Sequence, residues 1–356
     1  MRIAQLAPLS ETVPPKLYGG SELVVSLLTE ELVKRGHEVT LFASSDSVTS
    51  SRLISCAPTG LRRAKDIPAT RWPAYELKSL LALESMQDQF DIVHNHMGYS
   101  ALPYLRNLKC LSLTTNHNPV KDYCADIYLK FRELPFVAIS NAYRRLNYPA
   151  ELNYVATVHN GIDIGGAVDL RSQRHNLLFL GRICPDKGTV EAIEIARRVG
   201  VPIILAGKVD DNDREYFETL VRPLLAQPDV EYVGEVSAVE KAKLYSSAIA
   251  TVCPINFDEP FGLVFAESLA AGTPVMALRR GAAPEVLDDG KTGILSDTVD
   301  QLVSRFIEIE TMNRFTCRET AKLLFSKERM ADEYEALYYQ LLVNQQEKIL
   351  YEGCLT

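Results

Sequence analysis

The chain has 356 residues, of which 47% are hydrophobic and 24% are charged, and its formal net charge at pH 7 is −8. This length predicts about two domains, and the composition is that of a folded globular protein, which excludes a disordered tail, a collagen and a coiled-coil rod. The negative charge argues against nucleic acid as a partner, because non-specific binding to nucleic acid needs a basic surface.

Several features of the sequence bear on the cellular compartment. No run of about 18 consecutive apolar residues occurs, so no membrane-spanning helix is predicted and membrane contact is at most peripheral. Residues 1–8 lead straight into a patterned segment, which indicates a first strand and not a signal peptide. The seven cysteines contain no CxxC pair, so neither a disulfide framework nor a zinc site is favoured. We therefore expect free thiols and a cytoplasmic location.

The first half of the chain alternates short apolar runs with helical periods, which is typical of parallel α/β units. A helix follows the first strand and ends near Gly36, whereas residues 44–75 are less regular. The predicted strands of this half are 2–8, 39–43, 91–94, 110–115, 136–139 and 156–158.

The alternation restarts after a glycine-containing break at residues 161–166, and 165–174 is the predicted linker. Capping boxes at Ser237 and Thr298 each predict a helix start, and further helices are predicted at 189–199 and 327–346. The predicted strands are 177–180, 203–206, 232–233, 250–253 and 275–278. Because ligands bind at the carboxyl ends of parallel strands, two such sheets would place a site in the cleft between the domains.

Charge is distributed unevenly along the chain. Residues 1–165 hold 17 basic and 16 acidic side chains, whereas residues 166–356 hold 21 basic and 30 acidic ones. This asymmetry suggests two domains with different partners. Free drift of surface charge is the alternative explanation.

The segment at 258–267 has the clearest chemical character. It follows a predicted strand and opens a predicted helix, with Pro260 suited to the first helical position. The amides of Phe261, Gly262 and Leu263 would then be free to bind an anion at the helix start. Glu259 and Glu267 supply carboxylates that can accept hydrogen bonds from a hydroxyl-rich ligand. An acidic helix start with a solvated Glu267 is the alternative.

A second segment, residues 181–188, follows the predicted strand at 177–180. Arg182 and Lys187 in this loop could bind a diphosphate, Arg182 through two hydrogen bonds and Lys187 as a point charge. Two surface cations in a turn would show the same pattern.

Gly19 and Gly20 lie at the start of the first predicted helix, where they would permit close backbone approach to a substrate or phosphate. No GxGxxG fingerprint occurs, which argues against a dinucleotide dehydrogenase.

Three histidines lie at predicted strand ends. A metal pair at His94 and His96 is disfavoured because no third ligand has the required spacing, and a buried, hydrogen-bonded His94 is the simpler interpretation. His117 follows a predicted central strand, where its imidazole could bond a sugar hydroxyl.

Together these segments resemble the retaining nucleotide-sugar glycosyltransferases of family 4, which have the GT-B fold of two Rossmann-like domains. The resemblance covers nearly the whole chain. It is carried by residues 14–22, 35–39, 91–96, 160–163, 181–188, the pair Glu259 and Glu267, and 271–275.

The resemblance implies an α/β architecture with domains at 1–168 and 169–330 facing across a cleft, and a C-terminal helix at 331–356 that crosses back to the N-terminal domain. The N-terminal domain is expected on the acceptor side, and the C-terminal domain is expected to bind the nucleotide sugar.

The resemblance also implies roles for individual residues. Arg182 and Lys187 neutralise the donor diphosphate, and the backbone of Phe261, Gly262 and Leu263 cradles phosphate and sugar. Glu259 holds the transferred sugar, and Glu267 holds the ribose. Gly19 and Gly20 reach the donor from the N-terminal domain, His117 bonds the sugar near its 6-hydroxyl, and Lys121 lies on the acceptor side.

The expected function is metal-independent, retaining transfer of a hexose from a nucleoside diphosphate sugar to an acceptor hydroxyl, without a cofactor. UDP-glucose is the favoured donor and GDP-mannose the second. The acceptor is undefined and could be a small molecule, a glycan or a lipid-linked molecule.

A basic stretch with Arg62, Arg63, Lys65 and Arg71 beside Trp72 could face an anionic or lipid acceptor, or be a solvated loop. The alternatives are a sugar-nucleotide epimerase of the same fold and a non-catalytic sugar-nucleotide binding protein.

Overall fold

A computed structural model describes residues 1–146, 151–165, 170 and 173–353 of the chain. The chain forms two compact units, one comprising Met1–Gly161 with Lys327–Thr356 and the other comprising Ile162–Ser326.

The first unit is built on a seven-stranded parallel sheet with the order β3-β2-β1-β4-β5-β6-β7. Its strands are β1 (Arg2–Leu6), β2 (Glu38–Ser44), β3 (Arg52–Ala57), β4 (Ile92–Asn95), β5 (Leu111–Asn116), β6 (Phe136–Ala138) and β7 (Tyr154–Thr157). The order reverses between β1 and β4, so the carboxyl ends of these two strands flank a crevice in which α/β sheets bind ligands.

Helices connect the strands of this unit: α1 (Gly20–Lys34), α2 (Trp72–Ser85), α3 (Leu102–Leu105), α4 (Asp122–Lys130) and α5 (Asn141–Leu146). The apolar face of α1 packs on the sheet, where Val25 meets Leu41 and Ala43 in a fully buried cluster. Burial of such side chains contributes roughly 1.5–3 kcal/mol each.

The second unit repeats this architecture with a six-stranded parallel sheet of order β10-β9-β8-β11-β12-β13. Its strands are β8 (Asn176–Leu180), β9 (Ile203–Ala206), β10 (Val230–Gly234), β11 (Ala248–Cys253), β12 (Val275–Leu278) and β13 (Gly293–Ser296). Here the order reverses between β8 and β11.

The helices of this unit are α6 (Thr189–Val199), α7 (Arg214–Tyr216), α8 (Ala238–Ser247), α9 (Leu263–Ala270), α10 (Ala283–Val286), α11 (Val299–Ser304) and α12 (Arg314–Phe325). Leu177 and Phe179 of β8, Val252 of β11 and Met276 of β12 form the centre of its core together with Ile193 of α6. These strands are apolar almost throughout because helices can cover both faces of a parallel sheet.

The last helix, α13 (Lys327–Gly353), belongs to the first unit although it follows the second in the chain. Arg35 and His37, which precede β2, both bond to the Glu335 carboxylate of this helix at 2.8 Å. The expected return of the C-terminal helix to the N-terminal domain is therefore present.

The chain passes between the units twice, at 161–162 and at 326–327. A Cβ atom at Gly161 would lie 2.8 Å from the Cα atom of Lys327, and the Ile162 N–H donates to the Phe325 carbonyl at 2.8 Å. The second boundary thus falls where α13 begins and not at the predicted 330/331. The predicted boundary at 168/169 and most of the predicted linker at 165–174 lie outside the described residues.

Most predicted strands are present within a few residues of their predicted bounds. Two were not predicted: β3, which lies in the less regular stretch 44–75, and β13. Both are edge strands. Ser237 forms the predicted capping box with Glu240, whereas at Thr298 only the Gln301 N–H bonds to the threonine side chain and the Gln301 side chain accepts from Asp297 instead.

Candidate active site

Two loops of the second unit leave neighbouring strands at the point where its strand order reverses. The loop after β8 carries Arg182 and Lys187, and the loop after β11 carries Glu259. The carboxyl ends of two such strands form the ligand-binding crevice of a doubly wound sheet. The fold therefore brings two of the predicted segments to one place.

Lys187 and Glu259 form a hydrogen-bonded ion pair between Nζ and Oε2. Both side chains are only partly accessible, at 22% and 14%, and the Lys187 ammonium also lies 4.8 Å from the centre of the Phe257 ring. A cation suited to phosphate and a carboxylate suited to sugar hydroxyls are thus adjacent.

Arg182 lies in an acidic environment. Its guanidinium is 3.6 Å from the carboxylates of Asp210 and Asp213 and 3.9 Å from that of Asp186. Asp210 also pairs with Lys208 at 2.8 Å. These carboxylates orient Arg182 and share its charge, whereas Lys187 is the cation that contacts Glu259.

The loop after β12 holds the backbone around Glu259. The Ala282 N–H donates to the Glu259 carbonyl at 2.8 Å, and the Gly281 N–H donates to the Asp258 carboxylate at 3.1 Å. Gly281 has a φ of +52°, and a Cβ atom there would lie 2.3 Å from the Glu259 nitrogen. Only glycine permits this approach. Sequence reasoning missed Gly281, because nothing in the loop after β12 indicates which backbone it approaches.

The helix that follows Glu259 begins later than predicted. Pro260 is not its first residue; α9 starts at Leu263, with Gly262 as N-cap at a φ of +81°. A Cβ atom at Gly262 would lie 2.4 Å from the Phe265 ring. The prediction failed because a left-handed glycine, and not the proline, sets the direction in which the helix starts.

This displacement changes which amides can bind an anion. Leu263 and Val264 now occupy the first two helical positions, whose N–H groups have no carbonyl four residues earlier in the helix. Phe261 lies outside the helix and its ring is buried against Phe325 at 5.7 Å. The side chain of Phe261 thus packs in the core, and the predicted cradle concerns its backbone alone.

Glu267 is held by two residues of α8. Lys241 Nζ lies 2.5 Å from Oε1, and the Tyr245 hydroxyl donates to Oε2 at 3.1 Å. Burial, together with the negative charge of Glu267, raises the pKa of Tyr245 well above its ordinary value, so the phenol stays protonated and donates. Sequence reasoning missed both partners. Their i, i+4 spacing places them on one face of a helix, but nothing local indicates what that face meets.

The first unit holds the remaining predicted residues. Gly19 is the N-cap of α1 and Gly20 its first residue, and a Cβ atom at Gly19 would lie 2.6 Å from that of Pro15. Lys121 is the exposed residue before α4. Arg62 of the basic stretch bonds to the Glu11 carboxylate at 2.9 Å, so this cation has an internal partner.

His117 follows β5 and its Nε2 atom lies 2.9 Å from Nδ1 of His96. Burial lowers the pKa of His117 to about 4. It lowers the pKa values of His94 and His96 well below the ordinary range, and the neighbouring imidazoles add to the effect. These three rings are therefore neutral at pH 7.

Three further observations concern the part of the chain that the structure describes. No helix there is long and apolar enough to cross a membrane. No three His, Cys, Asp or Glu side chains among these residues are arranged to hold a metal ion. The six cysteines in this part of the chain are free thiols.

Known sequence families and individual proteins match most of the chain. Residues 18–165 match the family described as "Glycosyltransferase Family 4", and residues 167–322 match that described as "Glycosyl transferases group 1". The phosphatidyl-myo-inositol mannosyltransferase of Mycolicibacterium smegmatis is 26% identical over 348 residues, which span 87% of this chain and 84% of that protein.

Solved structures give the same result for the fold. Sucrose-phosphate synthase from Thermosynechococcus elongatus superposes with a TM-score of 0.81 at 20% identity, over 97% of this chain and 100% of that one. Alr3699/HepE from Anabaena, in complex with UDP and glucose, superposes with a TM-score of 0.72 at 15% identity, over 95% and 99%. With the two family matches, which together span nearly all of residues 18–322, these likenesses show that the chain belongs to the family 4-type glycosyltransferases and is a transferase of the GT-B fold.

Proposed function

We propose that the protein transfers a hexose, with retention of anomeric configuration, from a nucleoside diphosphate sugar to an acceptor hydroxyl. The observation that carries this proposal is the Lys187–Glu259 pair at the switch point of the second sheet. A cation of the kind that binds phosphate and a carboxylate of the kind that binds sugar hydroxyls are adjacent in this pair, which lies close to the start of α9.

The reaction breaks the bond between the sugar C1 atom and the diphosphate oxygen, and the electron pair leaves with the diphosphate. Negative charge therefore grows on the phosphate as the bond lengthens. Lys187 and the first amides of α9, those of Leu263 and Val264, stabilise this charge more in the transition state than in the ground state. Arg182 adds positive charge from the same loop as Lys187.

The sugar becomes oxocarbenium-like while Glu259 accepts hydrogen bonds from its hydroxyls. The acceptor oxygen bonds to C1 on the face that the diphosphate leaves, and its proton passes to the departing phosphate oxygen. Glu267 holds the ribose hydroxyls throughout, and Gly19 and Gly20 admit the donor to the first unit. No side chain needs to form a covalent intermediate.

UDP-glucose is the favoured donor. Support comes from the Anabaena protein of the same fold, which is described in complex with UDP and glucose. GDP-mannose is the second candidate, and the relative from Mycolicibacterium smegmatis is named a mannosyltransferase.

We propose that transfer needs no metal ion, because Lys187, Arg182 and the start of α9 supply the positive charge that the leaving diphosphate requires. Activity that is unchanged in EDTA would support this, and activity that returns only with a divalent cation would oppose it.

On the acceptor side, Lys121 is the proposed contact. The acceptor is a small molecule, glycan or lipid-linked molecule met in the cytoplasm or at a membrane surface.

A thermal-shift screen of nucleotide sugars tests donor binding, because a ligand that binds only the folded state raises the melting temperature by mass action. UDP-glucose is expected to give a larger shift than GDP-mannose, and Lys187→Ala is expected to abolish both shifts. A shift of equal size in Lys187→Ala would contradict the assigned diphosphate site.

A further inference from the structure

The Glu267 carboxylate receives two hydrogen bonds from α8, and the two donors differ in how many protons they hold. The Tyr245 hydroxyl has a single proton, which it donates to Oε2 at 3.1 Å. The Lys241 ammonium has three N–H donors, and Glu267 Oε1, 2.5 Å from Nζ, is its one hydrogen-bond partner in the described part of the chain. Lys241 can therefore donate further hydrogen bonds to a ligand, and it can do so only on the Oε1 side of the carboxylate.

The position of Lys241 follows from the way α8 is anchored. A capping box fixes the first turn of this helix, directly before Lys241. One turn later, the Tyr245 ring is buried in a cluster with Leu178 of β8 and Ala271. The side chain of Lys241 is nevertheless 26% exposed and that of Glu267 is 14% exposed. The pair is thus held in place and accessible to a ligand.

The chemistry of this pair determines which kind of group it can bind. A carboxylate only accepts hydrogen bonds, and an ammonium only donates them. A phosphate would be repelled by the negative charge of Glu267, and the carbonyl of a base could bond to Lys241 alone. A hydroxyl can bond to both, because its proton can go to Oε1 while its oxygen accepts from Lys241. The pair therefore favours a hydroxyl group.

We propose that Lys241 is a specificity-determining residue that binds one ribose hydroxyl of the donor nucleotide. The proton of this hydroxyl goes to Glu267 Oε1, and its oxygen accepts a hydrogen bond from Lys241. The second ribose hydroxyl bonds to Oε2, where Tyr245 has no further proton to donate. The inference rests on the proposed function, in which Glu267 holds the ribose, and adds that the protein recognises the two hydroxyls unequally.

Unequal recognition has a measurable consequence. Loss of the hydroxyl on Oε1 removes hydrogen bonds to two charged groups, whereas loss of the hydroxyl on Oε2 removes a hydrogen bond to one. Of 2′-deoxy-UDP and 3′-deoxy-UDP, one is therefore expected to bind the wild-type protein about tenfold more weakly than the other, the value of one hydrogen bond to a charged group.

Lys241→Met tests the assignment, because methionine is close to lysine in length and has no proton to donate. The dissociation constants of the two deoxy analogues should then agree to within about twofold, since the additional hydrogen bond is lost. Isothermal titration of the full-length protein with UDP and both analogues measures this. Lys243→Met removes the same charge from an exposed position of α8 and is expected to keep the wild-type ratio.

The ratio of the two dissociation constants distinguishes recognition of a hydroxyl from compensation of charge. If Lys241 served only to neutralise Glu267, Lys241→Met would weaken the binding of UDP and of both analogues by the same factor. An unchanged ratio in that variant would overturn the proposal. Equal affinities of the wild-type protein for the two analogues would overturn it as well.

GDP and its 2′-deoxy and 3′-deoxy forms are titrated in parallel, because the ribose is common to both nucleotides. If UDP or GDP binds while the ratio is the same in Lys241→Met and in the wild-type protein, the role of Lys241 fails and the proposed function stands. If neither nucleotide binds the wild-type protein, the proposed function fails, and the ribose site fails with it.

Discussion

Lys187 and Glu259 form an ion pair in a part of the chain whose net negative charge disfavours an anionic ligand. The unit proposed to bind the anionic donor, Ile162–Ser326, carries 25 acidic and 18 basic side chains, an excess of seven acidic ones. Overall charge thus opposes donor binding, and local groups must outweigh it. Glu259, which is 14% accessible, has its charge compensated by Lys187. The same lysine is proposed to stabilise the negative charge that develops on the leaving diphosphate.

Glu259→Gln keeps the shape of the side chain and removes its charge. Because the carboxylate is proposed to contact the sugar as positive charge develops at C1, turnover should fall by at least about a hundredfold, the scale of a lost transition-state contact. Steady-state kinetics with the identified donor measures this. Transfer near the wild-type rate would refute the assignment.

Glu267→Gln is the matched comparison for that variant. The ribose is bound equally in the ground state and the transition state, so loss of this contact should raise the donor KM and leave kcat nearly unchanged. A large fall in kcat would show that the two carboxylates do not have separate roles.

The three coupled histidines predict how stability depends on pH. Burial lowers the pKa values of His94, His96 and His117 in the folded protein, so below the ordinary value of 6.5 the unfolded chain binds protons that the folded one does not. Because these histidines are neutral in both states above pH 7, they should not change the free energy of unfolding there. It should fall between pH 6.5 and 5, by up to about 1.4 kcal/mol per pH unit for each histidine.

The single tryptophan, Trp72, lies in the same unit as these histidines, so its fluorescence in denaturant titrations reports on the unfolding of that unit. An unfolding free energy that stays constant from pH 7.5 to pH 5 would be inconsistent with three rings that stay neutral in the folded protein.

At the level of elements, the site depends on loops that touch each other's backbone. Gly281, after β12, fits against Glu259 so closely that a Cβ atom would lie 2.3 Å from its nitrogen and 2.4 Å from its oxygen. Gly290 also has a positive φ, but nothing lies within 4 Å of its Cβ position. Alanine substitutions at these two glycines therefore distinguish the effect of backbone strain, which both share, from the effect of displacing Glu259, which only Gly281 would cause.

Gly281→Ala and Gly290→Ala both force alanine into a left-handed conformation, which costs roughly 1–2 kcal/mol of stability. Gly281→Ala should lose more than Gly290→Ala, because its Cβ atom would also displace the Glu259 backbone. Only Gly281→Ala should also lower kcat/KM, by about tenfold or more, since small displacements at a reacting centre have large effects. Chemical denaturation and kinetics on the two variants measure this. Equal kcat/KM values would show that the β12 loop does not position Glu259.

The sequence predicts most elements well because short apolar runs between helical periods have few other interpretations. It misses β3, an edge strand with partly exposed residues, because an apolar run is expected only where both faces of a strand are covered. The start of α9 was predicted too early because Pro260 is compatible with a helix start, whereas the left-handed Gly262 decides where the start lies.

The candidate site could be predicted only in part, for a related reason. Glu259, Glu267 and Lys187 lie in recognisable local segments. Lys241, Tyr245 and Gly281 do not, because their importance comes from contacts with residues far away in the chain. Such contacts depend on how strands and helices pack, and no local pattern records them.

On the scale of the whole molecule, two doubly wound units share one chain that passes between them twice. The acidic unit holds Lys187 and the two carboxylates that are proposed to bind the donor, and the other unit holds the glycines of α1, Lys121 and His117. This division agrees with the unequal charge of the two halves. The proposed reaction needs residues from both, so the central claim concerns the transfer carried out by the complete chain.

Time-resolved ¹H NMR of UDP-glucose incubated with the full-length protein, first alone and then with candidate acceptors, tests that claim most directly. Release of UDP and formation of the α-glucoside are expected; where water is the acceptor, α-glucose is expected to appear before the anomers equilibrate. A β-configured first product, or an epimerised sugar formed without any acceptor, would contradict it.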